Sequence, residues 1–212
     1  MSPISTFASP VDALLALPEP TFDDDPADWP SYARLGLDGS HVPELLRLAT
    51  DPWRLGAPSE DLDEASEADM DLADVEWSAP VHAWRALAVM GAEEAIEPLV
   101  HLVCQAAHYE NDWTFEELPA VIEDFGAAAV PALLARLDEA NHDQEAYYSW
   151  AETLGRIGAG DPAVRDTVVD AITAQLVHHA TNDPTLNAYF VAGLVSMNAQ
   201  GAAPAIEAAF AA

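Results

Sequence analysis

The chain contains no lysine, and its seven basic residues are all arginine, set against 37 acidic residues for a formal charge of -30. Affinity for nucleic acid comes largely from Lys and Arg neutralising backbone phosphates, so DNA, RNA, anionic membrane surfaces and polyphosphate ligands are poor partners for such a surface. A basic protein segment or a cation suits it better. The same composition also fits a proteome-wide habit, because Arg in place of Lys, abundant Ala and acidic surfaces accompany GC-rich or salt-adapted genomes. Cysteine is nearly absent too. Cys104 is the only one, which excludes a disulfide within the chain, and its apolar helical surroundings make it a small buried hydrophobe. Long hydrophobic runs are missing: Met1 to Leu17 has no basic n-region or long apolar core, and no window reaches a membrane span. The sequence predicts a soluble, cytoplasmic protein.

What is present is repetition. Half of the 212 residues are apolar, enough for one extended domain over residues 1–212 with a substantial core. Five positions able to adopt a left-handed backbone, Gly36, Gly91, Gly126, Gly158 and Asn198, follow apolar helical stretches at intervals of 55, 35, 32 and 40 residues. Behind four of them comes a proline suited to the first turn of a helix: Pro43, Pro98, Pro131 and Pro204. Each seam reads as a helix end followed by a helix start. Asp161 with Pro162, and Asp183 with Pro184, give further N-cap and first-turn pairs, the former opening a helix over about 162–179.

The flanking helices carry matching apolar stripes. The second helix of three units places Val42, Leu45, Leu46 and Ala49; Ile96, Leu99, Val100 and Val103; and Val130, Leu133, Leu134 and Leu137 at i, i+3, i+4, i+7. The first helices carry Phe115, Leu118, Ile122 and Phe125; Tyr147, Trp150, Leu154 and Ile157; and Phe190, Leu194 and Met197. Two stripes per unit make a hairpin that needs neighbours. The predicted architecture is all-α, a right-handed α-solenoid of about five helical hairpins. Residues 1–30 read as an irregular cap over the first hairpin. Residues 51–79 read as an acidic insertion loop holding nine carboxylates from Glu60 to Glu76 against Arg54 alone.

These units resemble HEAT repeats, of the short type also found in the phycobilisome-lyase group, from about Tyr32 onward. The stretches Ala79-Pro-Val-His-Ala-Trp-Arg-Ala-Leu87, Asp112-Trp-Thr-Phe-Glu-Glu-Leu-Pro119 and Asn182-Asp-Pro-Thr-Leu-Asn187 are similar to an uncharacterised bacterial group within it. The resemblance implies the fold and no particular activity. Deoxyhypusine hydroxylase shares the architecture but places repeated His-Glu dipeptides around two irons, and no His-Glu dipeptide occurs here. HEAT-like DNA glycosylases need a basic concave surface, which four Arg against nineteen acidic residues from Val81 onward do not provide. Nothing in the chain points to a tetrapyrrole.

Three constellations can be weighed for chemistry. His101, His108, Glu110 and Asp112 lie near the end of a helix expected over about 94–107, and His101, His108 and Asp112 are the candidate ligands of a metal site or of a metal-dependent or carboxylate-based enzyme. The preferred account is helix-terminal histidines facing the negative end of the dipole, as His178 and His179 repeat. Glu116, Glu117, Glu123 and Asp124, on a helix expected over 114–125, read as a solvated face. Trp84 is expected to clasp the insertion that ends at Trp77, with Arg85 paired to nearby acids; the alternative leaves Trp84 and Arg85 exposed as a binding hot spot. No nucleophile elbow, phosphate-binding Gly loop or zinc pattern is present. The predicted function is a non-catalytic scaffold that needs no cofactor and holds a basic protein segment on a concave face, with Glu44, Arg47, Glu97, His101, Arg136 and Gln175 as contacts.

Overall fold

Every regular element among the described residues is helical. The computed structural model describes residues 5–21, 26–56, 76–105, 112–137 and 144–211, apart from the side chains of residues 144 and 145. They form two compact units, Met1–Asp124 and Phe125–Ala212. Among the described residues no single helix is long and apolar enough to cross a membrane.

In the first unit, short 3-10 turns at Val11–Ala16, Pro26–Asp28, Tyr32–Leu35 and Gly39–His41 lead into α1 (Val42–Ala49), followed by α2 (Ala79–Val89), α3 (Ile96–Cys104), α4 (Asp112–Glu116) and α5 (Leu118–Glu123). The helix at α2 is the centre of this unit, packing on α1, on α5 and on the turn at Val11–Ala16. All ten residues from Ala79 to Ala88 are buried. A helix buried on every side cannot show a stripe, which is why its sequence pattern gives no single apolar face. Trp84 is fully buried, and its indole N–H donates at 2.7 Å to the carbonyl of Ala49, one of the terminal α1 carbonyls that have no helical partner. The insertion's end is clasped elsewhere, by Trp77 against Trp113 with ring centroids 5.6 Å apart. Trp84 and Arg85 therefore do not form an exposed hot spot, and Arg85 is paired with Glu117 as expected.

The helix expected over 114–125 is broken into α4 and α5. Pro119 has no N–H to continue the ladder and fits only the first turn of a new helix, so α5 starts at Leu118. Most of the expected stripe survives the break: Leu118, Ile122 and Phe125 are buried.

The second unit holds α6 (Val130–Leu137), α7 (Gln144–Gly160), α8 (Pro162–Leu176), α9 (Pro184–Ser196) and α10 (Ala203–Ala211). Helix α7 packs on α6, α8 and α9, while α8 packs on α6, α9 and α10. Trp150, Leu154, Ile157, Phe190, Leu194 and Met197 form its core. Asp161 accepts a hydrogen bond from the Ala163 N–H at 2.8 Å, and Asp183 accepts from Thr185 and Leu186, so both expected N-caps are present. Helix α8 ends at Leu176, short of His179.

Four seams have the left-handed backbone expected of them: Gly36 at φ 87°, Gly91 at 62°, Gly126 at 56° and Asn198 at 53°. Gly158 does not. Helix α7 runs through it to Gly160, and the seam is moved to Asp161, whose cap starts α8 directly. Gly158 is a glycine for space: a Cβ there would lie 2.5 Å from Met197 Sδ and 3.3 Å from the Val168 side chain.

Candidate functional site

Helix α3 presents two of the expected contact residues at the surface. A 3-10 turn at Glu93–Ala95 feeds α3, and Ile96, Leu99, Val100 and Val103 face the core, which leaves Glu97 and His101 one turn apart on the outer side. Glu93, Glu94, Glu97 and His101 are all exposed. Three carboxylates at a helix start also favour its positive dipole end. Asp112 is exposed at the start of α4, while His108 and Glu110 lie outside the described residues. No group of three or more His, Cys, Asp or Glu side chains that could hold a metal occurs among the described residues. Cys104 is half-buried, not fully enclosed, and its thiol donates to the Val100 carbonyl at 3.5 Å.

Glu44 and Arg47 on α1 are occupied by the chain itself. The Ala8 N–H donates to Glu44 Oε1 at 2.7 Å, Arg47 donates to the Thr6 carbonyl at 2.8 Å, and the two side chains pair at 3.2 Å. The Arg47 guanidinium sits 4.4 Å from the centre of the Phe7 ring, and that of Arg54 sits 5.2 Å from it. Arg54 is buried, donates to the Ser5 carbonyl at 3.2 Å, and holds Asp51 at 2.7 Å together with Glu76. It thereby joins both ends of the acidic insertion, whose residues 57–75 lie outside the described residues. The described ends of the insertion are thus anchored through a desolvated cation.

Farther along the same N-terminal segment, α2 supplies two more donors. His82 Nε2 is 2.9 Å from the Pro18 carbonyl and so carries the proton, leaving Nδ1 to accept from the Tyr32 hydroxyl at 3.2 Å. Burial holds its pKa below the ordinary value of 6.5; the bond to Pro18 opposes that shift and the charge of Arg85 adds to it. Arg85 donates from Nε to Glu117 Oε1 at 2.6 Å and from a terminal nitrogen to the Thr21 carbonyl at 2.9 Å, with Trp29 4.9 Å away. Glu117 is 4% exposed, so this carboxylate departs from the solvated face expected of it. The α4–α5 junction places it inward, against Arg85. Its neighbours Glu116 and Asp124 are exposed as expected.

In the second unit Arg136 on α6 and Gln175 on α8 are half-buried on neighbouring helices. The expected contacts therefore fall into separate sets: Glu44 with Arg47, Glu97 with His101, and Arg136 with Gln175. Tyr148 donates to Asp183 Oδ1 at 2.8 Å, which lowers the Asp183 pKa and raises that of Tyr148, while the Tyr148 and Tyr189 rings stack at 5.4 Å. Between α9 and α10 lies an apolar groove of about 380 Å³ lined by Pro184, Ala188, Val191, Val195 and Phe210, among others. Phe210 is 79% and Val195 65% exposed beside it. No expectation drawn from the sequence included this groove, although α9 reads as apolar on all faces.

No family model matches the chain, and no curated protein or solved structure matches it either. The likeness to HEAT repeats rests on the residues quoted above.

Proposed function

We propose that the chain is a right-handed α-solenoid of five HEAT-like hairpins acting as a non-catalytic scaffold, and that its second helices hold a basic segment of a protein partner on their inner face. Packing within the second unit supports the repeat. First helices α7 and α9 lie on each other, as do second helices α6 with α8 and α8 with α10, which is the alternation stacked hairpins require.

The observation that carries the partner's chemistry is where the cations go. Arg54 and Arg85 are buried in ion pairs, Arg165 donates to the carbonyls of Gly158 and Ala159, and Arg47, although exposed, is tied to Thr6 and Glu44. Exposed carboxylates such as Glu93 and Glu94 set the surface potential. Such a surface steers a cationic partner and weakens with salt.

The test is titration calorimetry of an Arg/Ala repeat peptide against the intact chain and two triple variants. One neutralises Glu93, Glu94 and Glu97 to Gln; the other converts Asp166 and Asp170 to Asn and Glu207 to Gln. The proposal expects binding that falls steeply between 50 and 200 mM salt on the order of tenfold, and that only the first variant abolishes. Equal losses in both variants would reduce the effect to bulk charge and overturn the site.

A further inference from the structure

We infer that α1 and the segment after it form a clamp for an extended, phenylalanine-anchored segment, and that residues 5–8 of the chain are its resident occupant. The clamp reads main chain and one ring. Arg54 donates to the Ser5 carbonyl, Arg47 to the Thr6 carbonyl, and Glu44 accepts the Ala8 N–H, while the Arg47 and Arg54 guanidiniums both lie against the Phe7 ring at 4.4 and 5.2 Å. Several main-chain contacts with one side-chain anchor are the elements by which proteins bind peptide segments. Apart from Phe7, no side chain of the occupant is used in these contacts, so the chemistry accepts any segment with an aromatic anchor between small residues.

Two features make this a site and not merely a folded terminus. Arg54 is held from behind by Asp51 and Glu76, through ion pairs that do not involve Ser5. Glu44 and Arg47 pair with each other across one helical turn, so the front of the clamp is also arranged in advance. The partner is thus an extended segment carrying a Phe, neutral rather than basic. It is distinct from the cationic segment proposed for the acidic surface.

The experiment uses the full chain and a fluorescent acetylated peptide copying residues 3–10. The chain carrying Phe7→Ala keeps the clamp but loosens its occupant. Fluorescence anisotropy is expected to show at least tenfold tighter binding to this variant than to the unsubstituted chain. Substituting the peptide's Phe by Ala, or adding Arg47→Ala to the variant, is expected to cost at least tenfold. The inference is overturned if the folded variant binds no peptide, binds no better than the unsubstituted chain, or binds the Ala peptide equally. Should Phe7→Ala prevent folding, hydrogen exchange in the unsubstituted chain decides: excess peptide must speed exchange of the Ala8 amide several-fold, and unchanged protection overturns the clamp. Failure of the Arg/Ala peptide to bind would leave this result untouched, because the two probes address different residues.

Discussion

Two glycines on facing helices give the sharpest test of the packing in residues 125–212. A Cβ added at Gly155 on α7 would lie 2.9 Å from the Gly193 Cα on α9, whereas one added at Gly193 would lie 3.4 Å from the Gly155 Cα and 3.5 Å from Ile172 Cδ1. Either alanine gains about 1 kcal/mol of helix propensity over glycine. At Gly193 the new methyl makes ordinary contacts, so the gain is kept and the variant is stabilised by about 0.5–1 kcal/mol. At Gly155 the obstruction is backbone, which cannot rotate away, and forcing α7 and α9 apart costs about 1–3 kcal/mol beyond the propensity gain. The two variants should differ by roughly 2–4 kcal/mol, although they add the same atom to the same crossing. For a unit of this size each kcal/mol moves Tm by about 4–8 °C, so circular dichroism melts at 222 nm separate them by about 8 °C or more. Gly158→Ala belongs between them, because its 2.5 Å obstruction is the flexible end of Met197. Equal melting temperatures for Gly155→Ala and Gly193→Ala would refute the close α7–α9 approach.

Three further outcomes follow from the first unit. Arg85→Met leaves Glu117 buried without its cation and should destabilise by about 3–5 kcal/mol in urea titrations, whereas Arg85→Met with Glu117→Met should recover most of that loss; no recovery would mean that the ion pair is not what the single variant breaks. His82 has a folded-state pKa below 6.5, so the unfolded chain binds the proton first. Its contribution is complete above pH 6.5 and is lost as pH falls from there through the folded-state value. Asp38 and Asp183, lowered from 3.8, are lost only at more acid pH, and stability between pH 6.5 and 5 should therefore fall less steeply in His82→Gln than in the unsubstituted chain. Zinc at a few equivalents should leave Tm unchanged; a rise abolished by His101→Ala would favour the metal site over the scaffold.

Much of the helical framework was legible because it follows from local chemistry. Left-handed seams need Gly or Asn, first turns accept Pro, and Asp161 and Asp183 announce caps through their own carboxylates. The errors came where tertiary contact reassigns a residue that locally fits two roles. Gly158 satisfies a seam and a close crossing equally well in sequence, and only Met197 and Val168, respectively 39 and 10 residues further on, decide between them. Glu117 belongs to an acidic run, and its burial depends on Arg85 arriving from α2. The occupant of α1 was legible only as an irregular cap, since recognition through the carbonyls of Ser5 and Thr6 leaves no side-chain signal apart from Phe7.

The absence of lysine bears on these same places. A guanidinium is a planar fork with five donors, so one Arg can hold a carboxylate and a backbone carbonyl together, which an ammonium on a flexible stem does less rigidly. Arg54 does so with Asp51, Glu76 and Ser5, Arg85 with Glu117 and Thr21, and Arg47 with Glu44 and Thr6. In each case the carboxylate fixes the fork and the carbonyl it reaches belongs to the N-terminal segment. A chain with few cations has thus placed three of its seven where each fastens residues 5–21 to α1, α2 and the start of the insertion. The concentration of fixed donors along one segment, more than the net charge itself, is what the proposed clamp rests on.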